Sequence, residues 1–502
     1  MPHAMDPADW IDSAARDQPR RLFLRTPAGR ELSYASLRDE SGRFAAALMQ
    51  RGVAPGDRIA VQVDKSVEAV LLYIACLRLG AVFVPINVAN TRNEVDYVLR
   101  DSQPRMAVIR PADHALLEPH AAQAGVRHVE TLGTEGEGSL PALARQCAAD
   151  PQLPAAGAAD SLAAIIYTSG TTGRSKGAML SRANLASNAG TLAETWRFAG
   201  SDILLHTLPL FHVHGLFVAI NTVLASGSSL VLLPKFDAGA VLKHLAQVTV
   251  YMGVPTHYTR LLQQEGMNRA ATAGIRLFVS GSAPLLADTH REFLRRTGHG
   301  ILERYGMTET LMNTSNPYDG ERKPGSVGTA LPGVCVRRSG AGAIGMLEVR
   351  GPNVFAGYWR DAEKTRGEFT PDGWFKTGDL GRIDPEGYVY IVGRAKDLVI
   401  SGGYNVYPKE VEMELDALAG VSESAVFGVP HPDLGEGVTA VVVPEDATVL
   451  SEADIIHSMQ VRLARYKVPR RVLVIDELPR NAMGKVQKNV LRATYASLYG
   501  GG

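Results

Sequence analysis

Residues 167–177, with the sequence YTSGTTGRSKG, hold the densest set of groups in the chain that could bind phosphate. Glycines let the backbone bend so that its amides point inward, threonine and serine hydroxyls add donors, and Lys176 adds a mobile positive charge. A Walker A loop requires G-x4-G-K-[ST] before a helix, whereas the order here is G-x2-G-x2-K-G. The segment therefore predicts a polyphosphate site of another kind. A plain flexible loop is the alternative, but it leaves the preceding apolar strand and the terminal Lys-Gly unexplained.

Six further motifs follow this segment along the chain. They are Pro209–His212, Gly281–Leu285, Tyr305–Glu309, Thr377–Asp379, Gly393–Asp397 and Gly484–Lys485. In this order they resemble the motifs of the AMP-binding superfamily of acyl- and aryl-CoA synthetases, adenylation domains and luciferases, over nearly the whole chain. The resemblance implies an acid–thiol ligase with ATP and Mg²⁺ as cofactors and coenzyme A as co-substrate. ATP converts a carboxylate into an acyl-adenylate with release of pyrophosphate, and the sulfur of coenzyme A then displaces AMP.

The resemblance also implies where ATP binds. Glu309 resembles the magnesium ligand, Thr308 the hydroxyl that touches the α-phosphate, and Asp379 the carboxylate that accepts both ribose hydroxyls, with Arg394 as a second ribose contact. Tyr305 and the turn at residues 281–283 resemble the walls of the adenine slot. The full implied set is Thr168, Ser169, Gly170, Thr171, Thr172, Gly173, Lys176, Gly281, Ser282, Ala283, Tyr305, Gly306, Met307, Thr308, Asp379, Arg394 and Lys485.

Catalysis is expected at Lys485, Thr308, Glu309 and His212. Lys485 resembles the family's lysine that bridges the substrate carboxylate and the α-phosphate during adenylation and then moves out of the active site. Its acetylation by an acetyltransferase would remove that charge and switch adenylation off. Ala482 replaces a proline common in this motif.

A rotation between the two half-reactions is implied by the same family. Lys396 aligns with its hinge position. Gly402 and Gly403 align with the channel for the pantetheine arm, where glycine permits close passage beside the backbone.

Two arginines indicate which acid is used. Arg304 immediately precedes YGMTE, and Arg260 follows VPTHYT, and both motifs border the acyl pocket in the family. A guanidinium in a semi-buried pocket is costly unless an anion meets it, and a second substrate carboxylate would do so bidentately. The residues predict a short dicarboxylate, with His214 as a further carboxylate contact. An internal salt bridge of Arg304 with Glu303, and a packing role for His214, are the alternatives.

These residues, with PLFHVHGL and the stretch 303–328, resemble the malonate-activating branch of the family, which implies malonate or methylmalonate as substrate. Three other functions stay open. The chain could be a free-standing adenylation domain that loads a carrier protein, a short-chain acyl-CoA synthetase of other specificity, or a nucleotide-binding sensor without catalysis. A luciferase is disfavoured, because the arginines offer nothing to an oxidisable luciferin.

The composition is that of a folded, multidomain protein. With 502 residues, 45% of them hydrophobic, the chain exceeds the size at which one hydrophobic core stops growing. The 52 basic and 52 acidic residues cancel, which removes the charge expected of a dedicated nucleic-acid binder. Three distant cysteines, no apparent signal peptide and an apolar stretch at 67–88 interrupted by charges and Pro85 predict a cytoplasmic protein with no membrane span.

The elements that must position these residues are read from hydrophobic periodicity. Helices are expected at residues 37–50, at 67–79 with Ser66 as N-cap, and in AVLKHLAQ and LLADTHREFLRRTG. Strands are expected in RIAVQV, AVFVPI, LAAIIYT, SSLVLLP, TVYMGV and IRLFVSG, and the stretch 133–160 is expected to be a surface connection.

This alternation predicts an α/β fold: a large N-terminal domain of several subdomains with parallel and mixed sheets, at residues 1–393. The elements become short after Gly393, with a helix beginning at Pro408, strands SAVFGV, GVTAVVV and RVLVID, and a helix at 453–466. These predict a small, mobile α+β C-terminal domain at residues 394–502 that carries Lys485.

Overall fold

The computed structural model describes residues 5–149, 152–168, 175–445, 450–481 and 484–499. The chain divides into two compact units, one of Met1–Cys335 with Val349–Phe375 and one of Val336–Glu348 with Lys376–Gly502. The second unit contains all of 394–502 and adds two earlier stretches, so the domain boundary at Gly393 stays a prediction. Within the described residues, no helix is both long and apolar enough to cross a membrane.

The helices alternate with strands through the first unit and are sparser in the second. They are α1 (Pro7–Asp17), α2 (Tyr34–Gln50), α3 (Val67–Leu79), α4 (Arg92–Ser102), α5 (His114–Gln123), α6 (Ser139–Gln146), α7 (Arg182–Thr195), α8 (Asn221–Ser226), α9 (Ala238–Leu245), α10 (Pro255–Leu262), α11 (Ala287–Thr297), α12 (Ala362–Glu368), α13 (Pro408–Asp416), α14 (Glu452–Arg462) and α15 (Lys488–Thr494).

The strands are β1 (Leu22–Arg25), β2 (Glu31–Ser33), β3 (Arg58–Gln62), β4 (Val82–Pro85), β5 (Met106–Ile109), β6 (His128–Thr131), β7 (Leu162–Thr168), β8 (Lys176–Ser181), β9 (Ile203–His206), β10 (Ser229–Leu232), β11 (Val250–Gly253), β12 (Leu277–Ser280), β13 (Leu302–Met307), β14 (Leu311–Ser315), β15 (Thr329–Ala330), β16 (Cys335–Arg338), β17 (Gly345–Arg350), β18 (Gly357–Tyr358), β19 (Phe375–Ile383), β20 (Val389–Arg394), β21 (Val399–Ser401), β22 (Tyr404–Val406), β23 (Val421–His431), β24 (Gly435–Pro444) and β25 (Arg471–Val474).

Two sheets form the first unit. One has nine strands in the order β15-β14-β13-β12-β11-β9-β10-β1-β2, and the other has seven in the order β18-β8-β7-β4-β3-β5-β6. In the nine-stranded sheet, the strands from β13 through β12, β11, β9 and β10 to β1 are parallel. Antiparallel strands lie at both edges of this sheet. In parallel sheets ligands bind beyond the carboxyl ends of the strands, so the residues that follow β9, β11, β12 and β13 lie at the edge where a site is expected.

The second unit holds two further sheets. Strands β16-β17-β19-β20 form a four-stranded sheet, and β22-β21-β24-β23 with β25 form a five-stranded one. Helix α13 begins at Pro408 as predicted, and its buried Val411 and Leu415 pack on the five-stranded sheet with Val426 and Val438. The observed architecture is thus mixed α/β.

Local signals placed several elements correctly. The Ser66 hydroxyl accepts a hydrogen bond from the Ala69 amide (3.1 Å) at the start of α3. Gly80 ends that helix in the left-handed conformation, with φ +75°. Helix α3 is buried on every side, which explains why its sequence is apolar without being a membrane span.

The stretch 133–160 is not the plain connection expected from its weak periodicity. It contains α6, whose Leu140 and Ala144 are buried beside α2. Eight residues give too short a window for a helical period to show, and tertiary packing rather than propensity stabilises so short a helix.

Arg182 explains how the N-terminal helix is held in the first unit. Its side chain is almost fully buried; Nε donates to Asp6 (2.8 Å), Nη2 also donates to Asp6, and Nη1 donates to the Leu77 carbonyl (2.8 Å). Asp6 is also the N-cap of α1. A single buried guanidinium therefore connects α1, α3 and α7.

Candidate active site

The predicted phosphate segment connects β7 and β8, which pair as an antiparallel hairpin with Thr168 opposite Lys176. Ser169, Gly170, Thr171, Thr172 and Gly173 lie outside the described residues. The Tyr97 hydroxyl donates to the Ser175 carbonyl (2.8 Å) at the end of the segment. Both ends of the predicted phosphate segment are thus held by regular structure.

Lys176 lies beside Tyr358, a residue that sequence reasoning missed. The ammonium is 5.7 Å from the centre of the Tyr358 ring, and the Tyr358 hydroxyl donates to Glu309 Oε1 (3.0 Å). Desolvation and the positive charge of Lys364 lower the pKa of Lys176, while nearby carboxylates, Glu309 among them, oppose this. One aromatic side chain therefore touches both the predicted phosphate-binding cation and the predicted metal-binding carboxylate.

The YGMTE motif covers the end of β13 and the start of the turn to β14. A Cβ atom at Gly306 would lie 1.8 Å from the Leu311 carbonyl oxygen, so only glycine fits. Asn353 donates to the Thr310 carbonyl (2.6 Å) and holds the turn from outside. Glu309 is buried in this turn, and Tyr305, Met307 and Thr308 are half-buried.

The turn at Gly281, Ser282 and Ala283 follows β12 at the same edge of the sheet. A Cβ at Gly281 would lie 2.5 Å from the guanidinium carbon of Arg304, and Ser282 has a φ of +73°. The Ser282 hydroxyl is 3.2 Å from His214 Nδ1. The turn predicted to border the adenine thus also contacts the residues predicted to bind the second carboxylate.

Arg304 is enclosed by protein and has no counter-ion in the described part of the chain. Its Nε and Nη2 atoms are buried without a hydrogen-bond partner. Desolvation, opposed by the charges of Tyr258 and Glu303, lowers its pKa to about 9. The salt bridge considered for Glu303 does not form, because neighbouring residues of a strand point to opposite faces, and Glu303 accepts a hydrogen bond from the Leu285 amide (3.0 Å).

His214 is buried next to Arg304 in a π-helical turn, His214–Ile220. Its Nε2 atom has no partner in the described residues. Desolvation and the charge of Arg304 hold its pKa well below the usual value, so the ring is neutral. The His214 amide donates to His212 Nδ1 (3.3 Å), which brings the predicted catalytic histidine beside it.

Arg260 differs from its expected environment. It lies on α10 with an exposed side chain, so the cost of a buried guanidinium applies to Arg304 and not to Arg260. Desolvation, and after it the positive charge of Arg260, lowers the pKa of His257 to about 3. Arg260 therefore contributes positive potential at this edge while staying in water.

Sequence reasoning also missed a cation between the two sheets of the first unit. Lys65, just after β3, donates to the carbonyl of His206 (2.9 Å) at the carboxyl end of β9. Burial holds its pKa well below the usual value. Its position after a strand and before the N-cap Ser66 is the signal that could have found it.

Asp379 and Arg394 form an ion pair in the second unit, with Arg394 Nε 2.8 Å from the carboxylate. The two residues are opposite each other in the antiparallel pair β19 and β20. Asp379 is buried, and its amide donates to the Thr377 hydroxyl (3.0 Å). The structure thus brings together the two residues predicted to hold the ribose.

The backbone of Lys485 is hydrogen-bonded to Asn481 in the second unit. Asn481 Oδ1 accepts from the Lys485 amide (3.0 Å), the Asn481 amide donates to the Lys485 carbonyl (3.0 Å), and Gly484 has a φ of +72°. The side chain is exposed, yet desolvation by the surrounding protein and the charge of Arg394 lower its pKa to about 8, with Lys396 acting in the same direction.

The predicted hinge and pantetheine residues are exposed in the second unit. Lys396 belongs to a short 3₁₀ turn, Ala395–Asp397. Gly402 and Gly403, with φ of +59° and +80°, form the turn between β21 and β22. No group of three or more His, Cys, Asp or Glu in the described residues could hold a metal ion.

Comparison with known proteins identifies the family. Residues 11–359 match the model of the AMP-binding enzyme, and residues 410–485 match that of the AMP-binding enzyme C-terminal domain. The chain belongs to the AMP-binding enzyme family. The predicted adenylate-forming fold and the acid–thiol ligase class are thereby confirmed.

Relatives of this AMP-binding enzyme include CoA ligases of different specificity. The indoleacetate–CoA ligase of Aromatoleum aromaticum is 37% identical over 98% of this chain and 98% of the relative. The malonate–CoA ligase of Arabidopsis thaliana is 35% identical over 88% of this chain and 78% of the relative. The crystal structure of ATP-bound MatB from Rhodopseudomonas palustris is 54% identical, with a TM-score of 0.95, over 99% of this chain and 100% of that one.

Proposed function

We propose that this AMP-binding enzyme ligates malonate to coenzyme A, with methylmalonate as an alternative acid, through an acyl-adenylate. The observation that carries the proposal is Arg304, a buried guanidinium with two unpaired nitrogens and no counter-ion in the described residues. The 35% identity to a malonate–CoA ligase supports it.

A second substrate carboxylate suits this pocket chemically. A buried unpaired charge is costly, and a carboxylate can accept two parallel hydrogen bonds from Nε and Nη2 of one guanidinium. His214 is neutral and its Nε2 has no partner among the residues described, so it can donate to the same carboxylate. A monocarboxylic acid would leave the polar atoms of both residues without a partner. The site therefore discriminates against such an acid far more strongly than an apolar pocket discriminates against a substrate that lacks one apolar group.

The phosphates of ATP are assigned to the first unit. Lys176 and Thr168 are assigned to the polyphosphate, as are residues 169–173 on their sequence alone, and Thr308 is assigned to the α-phosphate. The buried carboxylate of Glu309, which already accepts from Tyr358, suits a hard cation held mainly by phosphate oxygens. Mg²⁺, when bound there, offsets the negative charge that develops as the substrate carboxylate attacks the α-phosphorus and pyrophosphate leaves.

The nucleoside contacts are assigned residue by residue. Asp379, buried beside Arg394, accepts from the ribose hydroxyls, while Tyr305 and residues 281–283 border the adenine. Gly306 and Met307 follow Tyr305 at the end of β13. Small side chains in the 281–283 turn allow the base to approach the backbone closely.

Lys485 is assigned to adenylation, where its ammonium bridges the carboxylate and the α-phosphate. The loop that Asn481 closes holds its backbone in place. After a rotation about Lys396, Gly402 and Gly403 line the path of the pantetheine arm, and the sulfur of coenzyme A attacks the acyl carbon as AMP leaves. His212 completes the proposed catalytic set, and its contact with the amide of His214, the residue assigned to the second carboxylate, supports this assignment.

The deciding experiment measures ATP- and coenzyme A-dependent turnover across mono- and dicarboxylic acids of two to six carbons. We expect thioester formation with malonate and much slower turnover with acetate or butyrate. A product that forms only on a carrier protein would show a free-standing adenylation domain instead. Absence of malonate-dependent pyrophosphate release with all substrates present would show a nucleotide sensor.

Two further proposals concern the regulation of the enzyme by acetylation and its location in the cell. Acetylation of the exposed Lys485 by an acetyltransferase removes its charge and abolishes adenylation, which mass spectrometry of modified enzyme with unchanged activity would contradict. The free cysteines Cys76, Cys147 and Cys335 suit the reducing cytoplasm. Fractionation of cells that express the chain tests that location.

A further inference from the structure

Two ion pairs flank the predicted hinge. Arg394 is bound to Asp379 through Nε at 2.8 Å, and Asp397 is bound to Arg492 at 3.0 Å. Only Ala395 and Lys396 separate Arg394 from Asp397. The backbone on each side of this two-residue gap is therefore tied to a different element by a charged side chain.

The two ion pairs connect to different elements, the strand β19 and the helix α15. Asp379 belongs to β19, which pairs with β20 directly before the gap. Arg492 belongs to α15, which begins three residues after Lys485 and is itself tied to α13 by the ion pair of Lys488 with the buried Glu412. The first tie thus holds the chain before the gap, and the second holds the chain after it to the element that follows Lys485.

We propose that Arg492 is a positioning residue that confines the rotation to Ala395 and Lys396. The inference rests on the proposed two-step function, in which the segment after the hinge turns as a body. A pivot of two residues restricts the orientations that the segment can adopt. The 3₁₀ turn at Ala395–Asp397, closed by a long hydrogen bond from the Leu398 amide to the Ala395 carbonyl (3.4 Å), is the kind of short element that absorbs such a change.

Loss of the ion pair between Arg492 and Asp397 lengthens the pivot and removes no contact with a substrate. Asp397 and Leu398 then join the flexible stretch, and orientations that serve neither half-reaction become populated. Adenylation and thioester formation both slow, by about fivefold for a partly exposed ion pair, while the KM values for ATP and malonate stay unchanged. This differs from Lys485→Ala, which is expected to slow adenylation alone.

The test uses double electron–electron resonance spectroscopy to measure the width of the distribution of distances between two spin labels. One spin label is attached to the exposed Cys335, before the pivot, and the other to Val461→Cys on α14, after it, where Val461 is 83% exposed. Cys76 and Cys147 are buried and stay unlabelled. Arg492→Met should broaden the distribution and slow both half-reactions, and Arg492→Lys should restore the wild-type width because a lysine can keep the ion pair.

Arg471→Met is the control, since it removes another partly exposed ion pair, with Glu452 (2.8 Å), after the pivot. Equal broadening in Arg471→Met, or a wild-type width in Arg492→Met, would overturn the proposal. The width does not depend on turnover. If the wild-type enzyme releases no pyrophosphate with malonate, the proposed function fails, while the distance distribution still decides whether Arg492 confines the pivot.

Discussion

The Tyr358 hydroxyl donates a hydrogen bond to Glu309 at 3.0 Å, while the ring of the same tyrosine lies under Lys176. Tyr358 pairs in β18 with Ala178 of β8, so the strand that begins at Lys176 also positions the tyrosine. Through this contact, the predicted metal ligand and the predicted phosphate cation are held in one arrangement before any substrate binds. Such preorganisation is what electrostatic stabilisation of a phosphoryl transition state requires.

Tyr358→Phe keeps the ring under Lys176 and removes only the hydrogen bond to Glu309. We expect the rate of malonate-dependent pyrophosphate release to fall by about 10- to 100-fold, since hydrogen bonds to charged groups contribute roughly 1.5–3 kcal/mol. The Mg²⁺ concentration for half-maximal activity should rise. A titration of Mg²⁺ that matches the wild-type curve would show that Tyr358 does not orient Glu309.

Arg304→Met removes the buried guanidinium whose Nε and Nη2 have no partner in the part of the chain that the structure describes. We expect kcat/KM for malonate to fall by about 10²–10³-fold, because the substrate carboxylate loses its partner. The free energy of unfolding of the substrate-free enzyme should not fall, and should rise by up to about 2 kcal/mol, because an uncompensated charge is no longer buried. Denaturant unfolding and malonate kinetics measure the two effects.

Arg260→Met serves as the comparison on the exposed helix α10. Because Arg260 is in contact with water, its loss should reduce kcat/KM for malonate by less than about tenfold. Unchanged malonate kinetics in Arg304→Met would contradict the dicarboxylate pocket. A larger loss in Arg260→Met than in Arg304→Met would move the second carboxylate to α10.

The pKa of Lys485 near 8 predicts a basic limb in the pH profile of adenylation. The ammonium is the form that bridges two anionic oxygens, so kcat/KM for pyrophosphate release should fall as pH rises through about 8. Lys485→Arg should move this limb to higher pH, and Lys485→Ala should abolish adenylation while leaving thioester formation from supplied malonyl-AMP largely intact. Equal loss in both half-reactions would contradict the assignment of Lys485.

Asp6→Asn tests the anchor of the N-terminal helix. Breaking the ion pair leaves the guanidinium of Arg182 buried and uncompensated, so the free energy of unfolding should fall by about 3 kcal/mol. The control is Asp319→Asn, which breaks an ion pair with Arg197 whose two side chains are 63% and 64% exposed, and it should cost less than about 1 kcal/mol. Equal losses in the two variants, by urea unfolding, would refute the anchor.

The correctly predicted elements are those whose signals are local. Ser66 caps α3, Pro408 begins α13, and the apolar run LAAIIYT is β7, because each depends on neighbouring residues alone. Helix α6 was missed because its stability comes from packing on α2. Tyr358 and Lys65 were missed for the same reason, since each acquires its role only from residues distant in sequence.

The amino-acid sequence by itself determined the family, the order of the motifs and the residue types that bind phosphate, ribose and an acid. Spacing along the chain carries that information because each motif is a single turn or strand end. Only the tertiary structure decided which charges are paired. It separated Glu303 from Arg304 on opposite faces of β13, left Nε and Nη2 of the buried Arg304 without a partner among the described residues, and kept Arg260 in solvent. Burial and counter-ions depend on elements far apart in the chain, and these set the free energy of a charge.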